Sequence, residues 1–222
     1  MPHLDLWTAR FSDLLPRLTQ LEALLTPDEH DRAGRFKFAE ARQRFVMARG
    51  MLRLALGQQL DLPPAELRFT YGTRGKPTLS GAAAHFNLAH SGDVLLLGVT
   101  DAGAIGVDVE QLRPLPHLVR MAHDNFSPGE AAALFALPPE QQETVFLHIW
   151  TRKEAFIKAT GDGFKCPLAS FDVALDLPAR LLRVEGDDAS RWSLMHLDPA
   201  AGYVGAACIQ TREAITVQWH IL

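Results

Sequence analysis

The sequence predicts an α+β fold built from two similar halves, and three observations carry that prediction. Two helix-start signatures, TPDE at Thr26 and SPGE at Ser127, recur 101 residues apart. A long stretch of helical apolar periodicity follows each start, and short strand-like runs follow each long stretch. The turn TDAGA, Thr100 to Ala104, separates the two sets. The halves are drawn as residues 1–103 and 104–222, with a site expected at their interface, where pockets concentrate. Capping boxes are common, so coincidence is the alternative to duplication.

In each start the hydroxyl residue is the N-cap and the proline is the first helical residue. The glutamate three positions on, Glu29 or Glu130, returns to the N-cap amide. The first long helix is expected from about Phe38 to Leu60. Its apolar residues Phe38, Ala41, Phe45, Ala48, Leu52 and Ala55 step by three or four into one buried stripe. The second, about Gln141 to Ala159, repeats the pattern with Val145, His148, Ile149 and Phe156. The offset of 101 sets Phe45 on Phe146, Arg49 on Trp150 and Arg53 on Glu154. The strand-like runs are LRFTYG, HFNLAHS and VLLLGVT in the first half. In the second they are SFDVAL, ARLLRV, RWSLMHL, YVGAACI and ITVQWHI.

Composition narrows the class. With 222 residues, 47% hydrophobic and 22% charged, the chain has core enough for one large domain or two small ones. A net charge of −4 argues against a general nucleic-acid surface, though not against a local basic pocket. Asp5, Arg10 and Asp13 interrupt the apolar pattern of the first residues, so no signal-peptide core is read there. The apolar run Val94 to Val99 is too short to span a bilayer. Cys166 and Cys208 form no ligand pattern and read as buried free thiols of a reducing compartment, hence a cytoplasmic protein.

The chemistry-bearing residues come in four groups. On a strand AIGVDVEQL, Asp108 and Glu110 share a face while Val107 and Val109 enter the core. Such a pair suits Mg²⁺, a hard cation that takes one or two carboxylates and substrate phosphates; a solvated strand face is the alternative. On the second long helix Glu154 and Lys158 stand one turn apart, which on its own reads as a surface salt bridge. Seven basic residues against one acid, Glu40, lie between Arg32 and Arg53, in a run that includes Arg44 and Arg49. The loop YGTRGKPTL presents Lys76 beside Gly75 and Pro77, and HFNLAHSGD places His90 and Ser91 at a strand end.

The order of these elements resembles the Sfp-type 4′-phosphopantetheinyl transferases. The motifs are Gly75-Lys76-Pro77, Phe86-Asn87-Leu88-Ala89-His90-Ser91, Gly106-Val107-Asp108-Val109-Glu110 and Trp150 through Lys158, WTRKEAFIK. They extend over roughly Arg32 to Phe171. The resemblance implies a pseudo-twofold monomer that moves the phosphopantetheine arm of coenzyme A onto a serine of an acyl or peptidyl carrier protein. The other product is adenosine 3′,5′-bisphosphate. It implies Mg²⁺ on Asp108, Glu110 and Glu154, with Glu154 as base and Lys158 as the cation at the phosphate. It further implies coenzyme A contacts from Arg32, at a family lysine position, and from Arg44, Lys76, Pro77, His90, Ser91 and Lys158. Arg152 and Lys153 are auxiliary or solvated. One departure is Ala89, where the family carries a hydroxyl; its loss is expected to weaken discrimination against 3′-dephospho-coenzyme A. The stretch Gln111 to Glu130 carries Leu115, Leu118, Val119 and Met121 beside Arg113 and Arg120, either a basic-apolar dock for an acidic carrier or a short core helix. The rivals are a Mg²⁺-dependent phosphohydrolase or nucleotidyl transferase using the same carboxylates, and a coenzyme A binder without turnover.

Overall fold

The computed structural model describes residues 1–72, 75–81, 84–161, 163 and 166–221. In chain order the first half runs β1 (His3–Arg10), α1 (Phe11–Leu14), α2 (Leu18–Glu22), α3 (Pro27–Gly34) and α4 (Ala39–Leu60). It continues with β2 (Phe69–Tyr71), β3 (Pro77–Leu79), β4 (His85–Ser91) and β5 (Val94–Thr100). The second runs β6 (Ile105–Gln111), α5 (Leu118–Asn125), α6 (Pro128–Phe135), α7 (Pro139–Thr160), β7 (Phe171–Val173) and β8 (Leu181–Val184). It ends with β9 (Trp192–Leu197), β10 (Tyr203–Gln210) and β11 (Thr216–Ile221).

Duplication is plain in the topology. Antiparallel β1–β5–β4 is matched by antiparallel β6–β10–β9, each with a two-stranded ribbon, β2–β3 or β7–β8. Each capped helix, α3 or α6, has 8 residues and each long helix, α4 or α7, has 22. The returning glutamates close their boxes: Glu29 Oε2 accepts from Thr26 N at 3.0 Å, and Glu130 Oε2 from Ser127 N at 3.0 Å. Each also pairs with a buried cation of its long helix, Arg53 Nε at 2.7 Å from Glu29 Oε2 and Lys153 Nζ at 2.7 Å from Glu130 Oε2. The structural equivalent of Arg53 is therefore Lys153, not Glu154. The connection between capped and long helix is one residue shorter in the second half, which changes the offset from 101 to 100 along the long helices.

Three expectations change. The stripe on α4 is not buried throughout: Phe38 is the exposed N-cap, and Ala41 and Phe45 are only half-buried, because the first turns of α4 project beyond the core and wall a cavity. Pro77–Leu79 is a strand, not loop alone; Thr73 and Arg74 of that segment lie outside the described residues. ITVQWHI leaves the second half and lies parallel to β1 at the edge of the first sheet. There His220 Nε2 sits 2.7 Å from Asp5 Oδ1, and its ring stacks on Trp7 at 4.5 Å. The two sheets meet along β4 and β6, where Asn87 Oδ1 accepts the backbone N–H of Val107 at 2.8 Å. Among the described residues no helix is long and apolar enough to cross a membrane.

His148, expected in the apolar stripe of α7, is half-buried and edge-on to His196 at 4.8 Å. Burial, then His196 and Arg152, push its pKa down to about 4 against a weaker pull from Asp198. Its neutral form is thus favoured in the fold, while the unfolded chain binds the proton near pH 6.5. Stability is then lost as pH falls from about 6.5 toward 4, by about 1–2 kcal/mol after solvent screening. His148→Gln is expected to flatten that part of a urea-denaturation pH series; an unchanged slope would refute this assignment.

Candidate active site

β6 brings the acidic strand against α7. Gly106 makes that approach feasible: a Cβ there would overlap the carbonyl oxygen of Ala155 and the amide nitrogen of Ala159. With the backbones so close, Asp108 lies within reach of the last turns of the helix. Its Oδ1 accepts from Lys158 Nζ at 2.6 Å, and its Oδ2 is buried without a hydrogen-bond partner. Burial pushes the Asp108 carboxyl up to about 7; Lys158 opposes the rise, and the charges of Glu110 and Glu154 add to it. Glu154 is likewise raised by burial, opposed by Lys158 and reinforced by Glu110. The solvated-face reading of the acidic pair fails at Asp108, which is buried. The surface-bridge reading of Glu154 and Lys158 fails too, since Lys158 turns its ammonium to Asp108.

Two cavities adjoin at Gly75, Pro77, Asn87 and Leu88. A cleft of about 630 Å³ holds Lys76, Trp150, Glu154 and Lys158, with Cys166 half-exposed in its wall rather than buried like Cys208. A second, of about 420 Å³, is walled by Arg32, Arg44, Phe45, Arg49 and His90. Arg44 Nη1 donates to Gly92 O at 2.6 Å, and its guanidinium lies 4.5 Å over the ring of Phe11. His90 stands edge-on to the same ring at 5.8 Å, and burial, then Arg44 and Lys158, lower its pKa. Among the described residues Lys76 pairs with no acid: its ammonium donates to the carbonyls of Ile105 and Lys158, and burial brings its pKa down to about 8.

β4 sorts its residues by face. Phe86, Leu88 and His90 wall the second cavity, which Asn87 also lines, whereas Ala89 is buried with Leu4, Leu6 and Leu96 between the sheets. The side chain at position 89 therefore faces away from that cavity, and weakened 3′-phosphate discrimination does not follow from its missing hydroxyl. Ser91 shares the Ala89 face. Its hydroxyl donates to Glu110 Oε2 at 2.7 Å instead of entering the cavity. The role of Asn87 in joining β4 to β6 is absent from the sequence reading, although the residue lies inside the quoted motif. Nothing local announces that its amide replaces a backbone ladder.

Arg152 and Lys153 are not solvated; both are fully buried. Arg152 donates to the carbonyls of Ala174 and Asp176, and Lys153 to those of Leu168 and Phe171. They fasten α7 to the segment that follows it.

Both halves of the chain match known families. Residues 104–208 match the family described as the 4′-phosphopantetheinyl transferase superfamily. Residues 7–101 match 4′-phosphopantetheinyl transferase, N-terminal. The chain is similar to 4′-phosphopantetheinyl transferase HetI of Nostoc sp. (strain PCC 7120), 40% identical over 210 residues, 92% of this chain and 86% of the relative. The chain belongs to the 4′-phosphopantetheinyl transferase superfamily. Two further relatives are 4′-phosphopantetheinyl transferase psf-1 of Bacillus pumilus and 4′-phosphopantetheinyl transferase Sfp of Bacillus subtilis (strain 168). They are 32% identical over 195 residues (86% of this chain, 82% of the relative) and 29% over 187 (84% and 82%).

In this transferase the Gly106 contact carries a prediction. Gly106→Ala sets a methyl group against backbone atoms that cannot rotate away, so α7 must shift on β6. A loss of about 2–3 kcal/mol in urea denaturation is expected. Activity should fall further than stability alone explains, because the shift separates Asp108 from Glu154; wild-type stability would disprove the tight approach. The transferase's Gln111 to Glu130 stretch divides between the two expected roles. Leu115 is buried and Leu118 and Met121 pack on the core, while Val119, Arg113 and Arg120 are exposed.

Proposed function

We propose that this transferase moves the 4′-phosphopantetheine arm of coenzyme A onto a serine of an apo acyl or peptidyl carrier protein and releases adenosine 3′,5′-bisphosphate. The observation that carries this reading is the excess of carboxylate at the cleft. Asp108 feels the charges of Glu110, Glu154 and the Lys158 ammonium together, and a buried oxygen of Asp108 is left without a partner. Among the described residues no three metal-ligating side chains are gathered tightly around one point. The set nonetheless fits Mg²⁺ in kind: its donors are hard oxygens, and a cation would answer both the mutual repulsion and the orphaned Oδ2. Asp108, Glu110 and Glu154 would hold the ion, which when bound supplies Lewis-acid neutralisation of pyrophosphate oxygens.

The chain's own groups do the rest. The carrier serine oxygen bonds to the β-phosphorus as the bond to the bridging oxygen breaks, and the bridging electron pair leaves with the nucleotide. Glu154 accepts the serine proton directly or through water. Lys158 turns from Asp108 to the departing phosphate and stabilises its charge. Arg32, Arg44 and His90 receive the 3′-phosphate end in the smaller cavity, with Lys76 and Pro77 at the junction of the two. Exposed Val119 with Arg113 and Arg120 suits the acidic carrier. We read the transferase as a cytoplasmic monomer, and the net charge of −4 argues against a nucleic-acid partner.

The test is intact-mass spectrometry of apo carrier proteins incubated with the transferase, coenzyme A and Mg²⁺. A phosphopantetheine-sized gain that EDTA abolishes is expected. Coenzyme A cleavage without a carrier would point to a phosphohydrolase instead, and binding without any gain to a degenerate binder.

A further inference from the structure

Ser91 is where the structure departs furthest from the expected list of coenzyme A contacts. Its Oγ lies 2.7 Å from Glu110 Oε2 and also accepts the backbone N–H of Gln111 at 3.3 Å. With that amide on a lone pair, the hydroxyl hydrogen is directed at the carboxylate. Glu110 is only half-buried, and a glutamate left to itself there would sample several rotamers.

The turn that carries Ser91 is itself held from both halves. Arg44 Nη1 takes Gly92 O at 2.6 Å, and Tyr203 of the second half accepts Asp93 N at 3.1 Å. Ser12 donates to the Asp93 carboxylate through its amide at 3.0 Å and its hydroxyl at 2.8 Å. Gly92 has φ +53, and a Cβ there would collide with Gln111 Oε1 and Tyr203 Oη. The hydroxyl is thus presented from a fixed point, while Ala89 and Ser91 both face away from the nucleotide cavity.

We propose that Ser91 is a positioning residue that aims the Glu110 carboxylate for the metal, and is not a phosphate ligand. This rests on the reading that Asp108, Glu110 and Glu154 hold the ion. Groups that orient a metal-ligating carboxylate commonly change metal affinity by about 10–100-fold when removed.

The experiment compares wild type with Ser91→Ala, Ser91→Cys, Ser91→Thr and Glu110→Gln, each checked by thermal melting. Mn²⁺ affinity with coenzyme A present is read from the free-Mn²⁺ paramagnetic resonance signal. Coenzyme A affinity is read by calorimetry in EDTA. Ser91→Ala and Ser91→Cys are expected to weaken Mn²⁺ binding about 10-fold, and Ser91→Thr to restore it. Coenzyme A affinity in EDTA should not move. In the transfer assay the half-saturating Mg²⁺ concentration should rise for Ser91→Ala, with kcat recovering at high Mg²⁺. Unchanged Mn²⁺ affinity in Ser91→Ala and Ser91→Cys would overturn the proposal, as would a matching loss of coenzyme A affinity in EDTA. Glu110→Gln separates the two levels. If it binds Mn²⁺ as wild type does, Glu110 is not a ligand and the metal reading falls, and the role of Ser91 with it.

Discussion

Glu154→Gln is expected to lower the initial rate of carrier modification by about 10³-fold without destabilising the fold. The amide keeps the shape of the side chain but removes its negative charge and its basicity. Those are the two properties that both proposed roles need. The structure gives a reason to expect no loss of stability: burial and the charge of Glu110 already disfavour an ionised Glu154, and Glu154 in turn disfavours an ionised Asp108. Neutralising one carboxylate relieves the other. Rates from intact-mass time courses and a urea denaturation curve on the same preparations check both halves of the prediction. A rate within tenfold of wild type would remove Glu154 from proton transfer and from the metal. A large drop in stability would mean that it serves the fold instead.

Lys153→Met is expected to cost about 3–5 kcal/mol, the range for breaking a buried pair from one side. Lys153 is fully buried, and its ammonium pairs with Glu130 at 2.7 Å while donating to the carbonyls of Leu168 at 2.8 Å and Phe171 at 2.6 Å. Glu130, also buried, spends its other oxygen on the amide of Val173 at 2.9 Å. Methionine fills the volume but leaves a buried carboxylate without its ammonium partner and takes a donor from two carbonyls. For a chain of this length such a loss corresponds to a melting temperature lower by about 10 °C. Glu130→Gln combined with Lys153→Met should recover part of the loss, because the uncompensated charge goes with it. Equal stability of the single variant and wild type would contradict the burial of this pair. Activity should fall with stability, since Lys153 anchors the turn that presents Glu154.

These two neighbours on α7 show what a linear reading reaches and where it stops. Sequence by itself determined what is local. The capping boxes at Thr26 and Ser127, the two long helices and the acid-apolar alternation of β6 all depend on residues a few positions apart, and their periodicity is written in the chain. The order of the motifs carried the family, and with it Asp108, Glu110, Glu154 and Lys158 as a group that the fold brings together.

Tertiary structure decided which charges are buried and which partner each one takes. Lys153 and Glu154 are adjacent, but one is sealed against Glu130 and the 168–171 segment while the other opens on the cleft. Lys158 turns to an aspartate 50 residues away rather than to the glutamate one turn before it. Ala89 and Ser91 face away from the cavity that His90 enters, because alternation along β4 is fixed by what packs on each side. β1 has buried side chains on both faces and so shows no alternation to read. β11 crosses to the other half because Trp7 and Asp5 await His220 there, a contact 215 residues apart in the chain. Burial and pairing are properties of two surfaces meeting, and a periodicity in one segment describes only its own.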